Sequence, residues 1–438
     1  MKKHLLSLAF VSCMTLAVTA QKYVGGDISL LSKYETNGAK YYDKNGVAIT
    51  DMLTFLKEQG LNCMRVRLFV EPKNAPVQHQ GEGVCQDLDY VKALGKRIKD
   101  AGFYFMLDFH YSDSWADPAN QWTPDAWKSL SDDELYTKIY EYTAACLDEL
   151  NKKGATPDFI QIGNEISYGM LWGVVDGSAD PKKYYAGETE TKNRDRFISL
   201  LKQAGKACRD NCPQAKIIIH TERVAKPDYL KTFYLEMTNN GVDYDIIGVS
   251  YYSYYHGDLK KLNTALNTLE TNFDKDIMIV ETGYYYAWQT TDFGDDGVNL
   301  SATYPISPEG QQAFTKALIE ELKTHEKVKG LFWWWLEANE NGLDYDTKRV
   351  SDHWYNASLF NDGEKINGKD GITYDYKAGK VMPALYELQN FLTSSAINQL
   401  SRDKGSDDNW YSLDGHQFKN KPASKGLYIN NGKTVVVK

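Results

Sequence analysis

The stretch Phe159-Ile-Gln-Ile-Gly-Asn-Glu-Ile-Ser167 decides the fold prediction, because a short apolar run leads directly into an amide and a carboxylate. A buried strand of a parallel sheet has such a short apolar run. α/β barrels place their functional side chains where the strands end. Asn164 and Glu165 stand at that position. The sequence therefore predicts a barrel strand that presents Glu165 at the barrel mouth.

The same pattern recurs along the chain, which predicts an α/β fold of the (β/α)₈ TIM-barrel type with a short C-terminal β tail. Segments with apolar residues three and four apart predict helices between the strands. The predicted strands are 25–30, 63–70, 104–110, 159–165, 216–222, 246–252, 276–283 and 330–337. The predicted helices are 49–59, 88–101, 132–150, 196–209, 227–237, 259–269, 308–324 and 381–392.

The two ends of the chain differ from this repeating region. Residues 1–20 have a charged start, an apolar segment too short to span a bilayer and a small-residue end, which predicts a signal peptide cleaved after Ala20. Cys13 leaves a lipoprotein signal open as an alternative. Residues 21–393 form the predicted barrel, and 394–438 a linker and small β tail. The tail resembles C-terminal segments of many exported Bacteroidetes proteins. The predicted signal peptide leads us to expect a periplasmic, outer-membrane-surface or extracellular location.

Composition excludes several classes of function. The 438-residue chain has a net charge of −9 and no basic run, which argues against nucleic acid as a partner. No stretch beyond the N-terminus is long and apolar enough to span a membrane, so an integral membrane protein is not expected. We also expect a monomer. The 31 Tyr and 10 Trp exceed what a core needs and suggest walls on which sugar rings stack.

The cysteines do not define a disulfide framework. Five remain after export, and an odd number cannot all pair within one chain. Cys208 and Cys212 are four apart and could form a local bridge. Zinc is a poor interpretation, because no second close pair or His cluster accompanies them.

Two carboxylates end predicted strands on nearly opposite sides of the barrel. Glu165 ends the fourth strand, and Glu281, in Ile277-Met-Ile-Val-Glu-Thr-Gly283, ends the seventh. Hydrolysis of a glycosidic bond needs two flanking carboxyl groups, one that holds a proton and one that stays charged. The pair therefore predicts a glycosidase.

Further motifs accompany this pair and resemble glycoside hydrolase family 53, the arabinogalactan endo-β-1,4-galactanases of the retaining clan A. The resemblance extends from about residue 24 to residue 392. The motifs are Gly26-Asp-Ile-Ser29, Asn62-Cys-Met-Arg-Val-Arg-Leu68, Asp108-Phe-His-Tyr-Ser-Asp-Ser-Trp-Ala-Asp-Pro118, Gln161-Ile-Gly-Asn-Glu165, Gly248-Val-Ser-Tyr-Tyr252 and Glu281-Thr282.

The resemblance implies an endo-acting, retaining hydrolase of β-1,4-galactosidic bonds in type I (arabino)galactan. Glu165 would be the acid/base and Glu281 the nucleophile of a double displacement. Asn164 would bind the sugar 2-hydroxyl. Arg67 would pair with Glu281 and keep the pKa of that carboxyl low. Tyr252 would orient Glu281, with its neighbour Tyr251 left open as the alternative.

The remaining substrate contacts implied by the resemblance are two histidines and two tryptophans. His110 would bind substrate or Glu165, and His220 would also bind substrate. Trp115 and Trp334 would stack on sugar rings. The chain departs from the family at Trp335, where a Glu is usual, at Ser253, where a Pro is usual, and in an insertion at 168–191. These departures leave subsite number and product length open.

A structural calcium is a further implication, since some bacterial members of the family hold one between the loops after strands seven and eight. Asp292, Asp295 and Asn299 offer closely spaced oxygen ligands, which suit calcium. Gly297 stands where a His is often found. A solvated acidic loop is the alternative, and no cofactor is expected for the chemistry.

Two other functions stay open on sequence alone. One is hydrolysis of β-mannan or another β-linked glycan instead of galactan and galacto-oligosaccharides. The other is a non-catalytic glycan-binding protein on a barrel, which would be expected to have lost one of the two carboxylates.

Overall fold

The computed structural model describes most of the barrel region and parts of the C-terminal tail. The predicted signal peptide and most of the predicted linker lie outside the described residues. Tyr23–Ser395 form one compact unit, and Ala396–Lys438 belong to a second. The described residues are 21–173, 183–187, 191–287, 293–339, 357–360, 365–367, 373–375, 379–393, 410–412, 417–418, 422, 424–430 and 433–437.

Eight parallel strands close into a barrel, which confirms the predicted fold class. The strands pair in chain order, and the first pairs with both the second and the eighth. They are β1 Tyr23–Asp27, β2 Cys63–Leu68, β3 Tyr104–Phe109, β4 Phe159–Ile162, β5 Lys216–Thr221, β6 Ile246–Tyr251, β7 Asp276–Thr282 and β8 Val328–Trp333.

Helices lie between the strands as predicted. Ser307 caps one of them by accepting from the backbone N–H of Gly310, with Pro308 in the first turn. No helix among the described residues is long and apolar enough to cross a membrane. The described α-helices are Leu31–Thr36, Met52–Glu58, Val77–Gly81, Leu88–Asp100, Asp132–Lys153, Thr191–Asn211, Pro227–Asn239, Ser253–His256, Leu259–Asn272, Pro308–Leu322 and Pro383–Leu388.

Small antiparallel sheets complete the described structure. In the first unit, Tyr41–Tyr42 pairs with Ala48–Ile49, and Lys365–Asn367 pairs with Thr373–Asp375. The second unit contains a four-stranded sheet around Trp410, Tyr428 and Val437. Its strands are Trp410–Ser412, Gln417–Phe418, Gly426–Asn430 and Lys433–Val437.

All five cysteines of the described residues are free thiols. The bridge that the sequence left open between Cys208 and Cys212 is therefore not formed in this structure. Both side chains are buried.

The barrel interior changes from apolar to polar along the strand direction. At the N-terminal end, an apolar cluster includes Cys63, Met106, Phe159 and Ile218. Two residues further along each strand the side chain faces the same way. These positions are Arg65, Asp108, Gln161 and His220, all fully buried. The sequence therefore builds a polar layer inside the barrel, directly below its C-terminal mouth.

The chain turns sharply where β4 ends. Gly163 has φ +100°, and a Cβ there would lie 2.7 Å from Ile166 Cγ2, so glycine is required. Glu165 has φ +47°, a left-handed conformation that is uncommon for a residue with a side chain. Such strain costs about 1–3 kcal/mol and concentrates at functional sites. The turn aims Glu165 into the barrel mouth.

Candidate active site

A cavity of about 920 Å³ lies at the C-terminal ends of the strands, where the sequence predicted the site. Most of the predicted site residues line it. They are Glu165, Glu281, Asn164, His110, Trp115, Tyr252, Trp334 and the predicted calcium ligand Asp295. Two predicted substrate-binding residues, Arg67 and His220, are fully buried and are not among the lining residues.

Glu281 reaches the cavity through an irregularity in β7. The register shifts between Val249 and Ser250 of β6, so that Ser250 pairs with Glu281. Val280 packs in the apolar interior cluster, although it directly precedes Glu281. Regular alternation would point these two side chains to opposite faces. The irregularity turns Glu281 inward, as bulges next to active sites do.

Two donors hold the Glu281 carboxylate. Arg65 Nη2 lies 2.9 Å from Oε1, and the Tyr252 hydroxyl donates to Oε2 at 3.0 Å. The neighbouring Tyr251 instead donates to the backbone oxygen of Gly257. Of the two tyrosines left open by the sequence, Tyr252 is therefore the one that contacts Glu281.

Arg65 is the cation that pairs with Glu281, and the prediction that Arg67 does so is wrong. The Arg65 guanidinium also lies 3.0 Å from Asp27 and 2.7 Å from Asp108, and it donates to Asn164 Oδ1 at 2.8 Å. Both arginines face the interior because they are two residues apart on β2. They differ in height by about 7 Å along the strand, and the sequence does not show which height matches Glu281.

Arg67 instead supports the aromatic wall of the cavity. Its guanidinium carbon lies 4.7 Å from the ring centres of both Trp115 and Trp334, and 5.6 Å from that of Trp335. Asp27 is its ion-pair partner at 3.5 Å. Cations at this distance from indole rings attract them electrostatically. Arg67 thus holds in place the two tryptophans that the sequence predicted as sugar platforms.

Glu165 has a different environment from Glu281. The Ser250 hydroxyl donates to Glu165 Oε1 at 2.6 Å. Burial, reinforced by the nearby charges of Glu281 and Glu222, raises the pKa of Glu165 well above its ordinary value. Burial also raises the pKa of Glu281, to about 7, but Arg65 and Tyr252 oppose that rise.

This difference in pKa assigns the protonation order of the two carboxyl groups. Because Glu165 has the higher pKa, it keeps a proton at a pH where Glu281 is already ionised. A pair of carboxyl groups separated in this way can act as a proton donor and a charged nucleophile. Cleavage of a glycosidic bond requires one carboxyl group of each kind.

Asn164 is held in one orientation beside Glu165. Its Oδ1 accepts from Arg65, and its Nδ2 donates to the backbone oxygen of Ala116 at 2.7 Å. Gln121 donates to the backbone oxygen of Asn164 at 2.7 Å. An amide nitrogen carries two hydrogens, so one N–H of Asn164 is available to a ligand in the cavity.

The two histidines take different positions. His110 lines the cavity, accepts from the backbone N–H of Ala116 at 3.0 Å and lies 3.1 Å from Asp108. His220 is placed below the cavity, so the predicted direct contact with substrate is wrong for this structure. Its Nε2 is 2.8 Å from Ser250 Oγ. The physical reason is strand alternation, which puts His220 one step deeper in the barrel than Glu222.

Glu222 is a site residue that the sequence analysis did not single out. It lines the cavity, and Ser167 donates to its Oε1 at 2.6 Å. Burial raises its pKa to about 7. The sequence did contain a signal for this role: Glu222 ends the fifth predicted strand, which neighbours the strand that carries Glu165. Arg65 and Ser250 were quoted within motifs, but the sequence assigned no role to either.

The predicted calcium ligands do not form a donor set in the described part of the chain. Asp292 lies outside the described residues. Asp295 and Asn299 are exposed, and Asn299 Oδ1 accepts from the backbone N–H of Ser301. Asp296, in the same loop, pairs with Lys226 at 2.7 Å. Among the described residues, no group of three or more His, Cys, Asp or Glu side chains could hold a metal ion. Calcium binding stays a prediction.

Comparison with known proteins gives a consistent result. Residues 23–368 match the family model described as glycosyl hydrolase family 53. The endo-β-1,4-galactanase of Bacillus subtilis strain 168 is 31% identical over 317 residues, which cover 71% of this chain and 68% of that protein.

Two solved structures share the fold. The Ignisphaera aggregans GH53 catalytic domain is 32% identical with a TM-score of 0.69, and the match covers 85% of this chain and 97% of that one. A structure from a study of two fungal β-1,4-galactanases is 28% identical with a TM-score of 0.66, covering 84% and 99% of the two chains.

Replacement of Tyr252 by Phe tests how Glu281 is held. Loss of the hydroxyl removes a donor that lowers the pKa of Glu281, so we expect this pKa to rise. The measurement is a pH titration of ¹³C-labelled glutamate side chains by NMR, with the Glu281 signal assigned from Glu281→Gln. The matched control is Tyr251→Phe, whose hydroxyl contacts Gly257 instead. An equal shift in both variants, or none in Tyr252→Phe, would contradict the assignment.

Proposed function

The chain belongs to glycosyl hydrolase family 53, and from this premise we propose that it is an endo-acting β-1,4-galactanase. The proposed substrate is type I (arabino)galactan, which is cleaved with retention of configuration. Glu165 is the acid/base and Glu281 the nucleophile. The observation that carries the proposal is the contrast between the two carboxyl groups that line the cavity, of which only Glu281 pairs with Arg65.

In the first step, the ionised Glu281 attacks the anomeric carbon of a galactosyl unit. Glu165 transfers its proton to the glycosidic oxygen as the bond from that oxygen to the anomeric carbon breaks. The shortened chain leaves as an alcohol, and the galactosyl unit is esterified to Glu281. Because its pKa is higher, Glu165 still holds the proton that it transfers. The pairing of Glu281 with Arg65 keeps the nucleophile charged.

In the second step, Glu165 acts as a base instead of an acid. Glu165, now a carboxylate, accepts a proton from a water molecule, whose oxygen attacks the anomeric carbon. The ester bond breaks, and Glu281 returns to its charged state. Two displacements at one carbon give net retention. Glu165 again holds a proton, so the enzyme is ready for another turnover.

The walls of the cavity support a sugar substrate. Trp115 and Trp334 line it and are stiffened by Arg67. Indole faces suit the C–H surface of a sugar ring. The spare N–H of Asn164 lies beside Glu165, which fits a contact with the 2-hydroxyl, where hydrogen bonds strengthen in the transition state.

Substitution of the two carboxyl groups tests the proposed function. We expect the parent protein to release short galacto-oligosaccharides from β-1,4-galactan. Glu165→Gln should reduce the rate by roughly 10²–10⁴-fold, and Glu281→Gln should abolish turnover. The matched control is Glu309→Gln, which alters an exposed carboxylate and should leave the rate unchanged. The measurement is product analysis over time by chromatography.

Other outcomes of that experiment would contradict the proposal. Cleavage of β-mannan but not of galactan would overturn the substrate. Binding of galactan without cleavage would overturn the assignment as an enzyme. Full activity in Glu281→Gln would overturn the double displacement.

Replacement of Glu222 by Gln tests how its charge acts on Glu165. Burial raises the pKa of Glu222 to about 7, and the negative charge of its ionised form raises the pKa of Glu165. Without that charge, Glu165 loses its proton at a lower pH, so the alkaline limb of kcat/KM should move to lower pH. The control is Glu82→Gln, which alters another carboxylate in the cavity wall. The same limb in Glu222→Gln as in the parent would show that the two groups are not coupled.

A further inference from the structure

A chain of hydrogen bonds runs inside the barrel beneath the two catalytic carboxyl groups. Ser250 donates to Glu165 Oε1 at 2.6 Å, and His220 Nε2 lies 2.8 Å from the same Ser250 oxygen. On its other side, His220 Nδ1 lies 3.0 Å from Gln161 Nε2. Gln161 Nε2 also donates to Asp108 at 2.6 Å. The chain thus extends from the acid/base to an ion-pair partner of Arg65.

The surroundings of His220 determine which ring nitrogen carries the proton. The backbone N–H of Glu165 points at Nδ1 from 3.3 Å, and a backbone N–H can only donate. Gln161 offers a second donor, and its amide orientation is fixed by Asp108. Asn164 Oδ1 is also 3.0 Å from Nδ1, but that oxygen already accepts from Arg65. The two hydrogens of Gln161 Nε2 go to Asp108 and to Nδ1. Nδ1 is therefore the acceptor.

His220 is neutral in this environment. It is fully buried, and burial together with the positive charge of Arg65 lowers its pKa well below the ordinary value. Asp108 opposes that shift, and His110 and His256 add to it. A neutral imidazole with an acceptor at Nδ1 has its only proton on Nε2. That proton must be donated to Ser250.

The direction of the whole chain follows from this tautomer. The Ser250 oxygen accepts from His220, so its own hydrogen is free for the carboxyl group of Glu165. We propose that His220 and Ser250 are positioning residues that keep Glu165 Oε1 a permanent hydrogen-bond acceptor and thereby confine the catalytic proton to Oε2. This inference rests on the proposed role of Glu165 as acid/base.

The confinement serves both steps of the reaction. Among the described side chains none donates to Glu165 Oε2, so a proton on Oε2 is available to the glycosidic oxygen. In the second step the same Ser250 donor stabilises the carboxylate that accepts the proton from water. The left-handed backbone conformation of Glu165 places its N–H within 3.3 Å of His220 Nδ1.

The charged groups around Glu165 act in the opposite direction to Ser250. Glu281 of β7, Glu222 at the end of β5 and Asp117 in the loop after β3 are all acidic and raise the pKa of Glu165. Ser250 of β6 lowers it as a neutral donor. Removal of the Ser250 hydroxyl therefore has a defined sign, which is a further rise in the pKa of Glu165.

Three variants test this chain of hydrogen bonds through the pH profile of galactan hydrolysis. Ser250→Ala should move the alkaline limb of kcat/KM to higher pH by about half a unit or more, because Glu165 loses its donor. His220→Asn, which has no N–H near Ser250, should shift the limb in the same direction. His220→Gln retains an N–H near the Nε2 position and should stay close to the parent. A merely structural role would not move the limb.

Leaving-group dependence gives a second readout. Ser250→Ala should reduce kcat/KM for galactan by roughly 10-fold, less than the roughly 10²–10⁴-fold contribution of a general acid, because Glu165 itself stays in place. It should reduce kcat/KM much less for a dinitrophenyl β-galactoside, whose leaving group needs no proton. Equal losses on both substrates, an unmoved alkaline limb, or identical behaviour of His220→Asn and His220→Gln would overturn the proposal.

One measurement on the unaltered protein needs neither a stable variant nor activity. ¹⁵N NMR of the labelled histidines distinguishes the two imidazole tautomers, with the His220 signals assigned from His220→Gln or, if that variant does not fold, from contacts to Ser250. We expect the proton on Nε2 and a bare Nδ1 from about pH 5 to 8. A proton on Nδ1 would overturn the proposed role of His220 and Ser250 even if the enzyme proved to be a galactanase. The expected tautomer in a protein that does not cleave galactan would instead locate the failure in the proposed function.

Discussion

The buried guanidinium of Arg65 is the constraint on which the site depends. A charge without solvent contact costs several kcal/mol unless it is paired and hydrogen-bonded. Arg65 is fully buried, and its partners are Asp27, Asp108, Asn164 and Glu281. These residues belong to β1, β3, the turn after β4 and β7. One cation therefore fixes the relative positions of side chains from across the barrel mouth.

The unequal behaviour of the two catalytic glutamates follows from that arrangement. Both are crowded into a cavity where burial disfavours charge, but only Glu281 has a cation and a tyrosine hydroxyl to offset it. Among the described side chains, Glu165 receives one neutral donor, Ser250, and it faces other acidic groups. The resulting difference in pKa is what separates an acid from a nucleophile in two chemically identical side chains.

The sequence predicted the eight strands and the carboxylate pair, because strand periodicity places the end of each run at the barrel mouth. The role of Tyr252 came from the family resemblance, which left Tyr251 open. It did not distinguish Arg65 from Arg67, since both face inward and differ only in height. Nor did it show that His220 lies a step below the cavity or that an irregularity turns Glu281 inward. These features depend on how strands tilt and pair around the barrel, which periodicity within one strand does not specify. The predicted strand at 159–165 extended too far because Gly163 ends it early.

The most direct test of the account is to trap the covalent intermediate and locate it. A 2-deoxy-2-fluoro-β-galactosyl or galactobiosyl fluoride has a leaving group that needs no acid, and its fluorine slows the second step by destabilising the oxocarbenium-like transition state. Peptide mass spectrometry of the inactivated protein should place one sugar ester on Glu281. A label on Glu165 or Glu222, or inactivation without a label, would contradict the division of roles that Arg65 imposes.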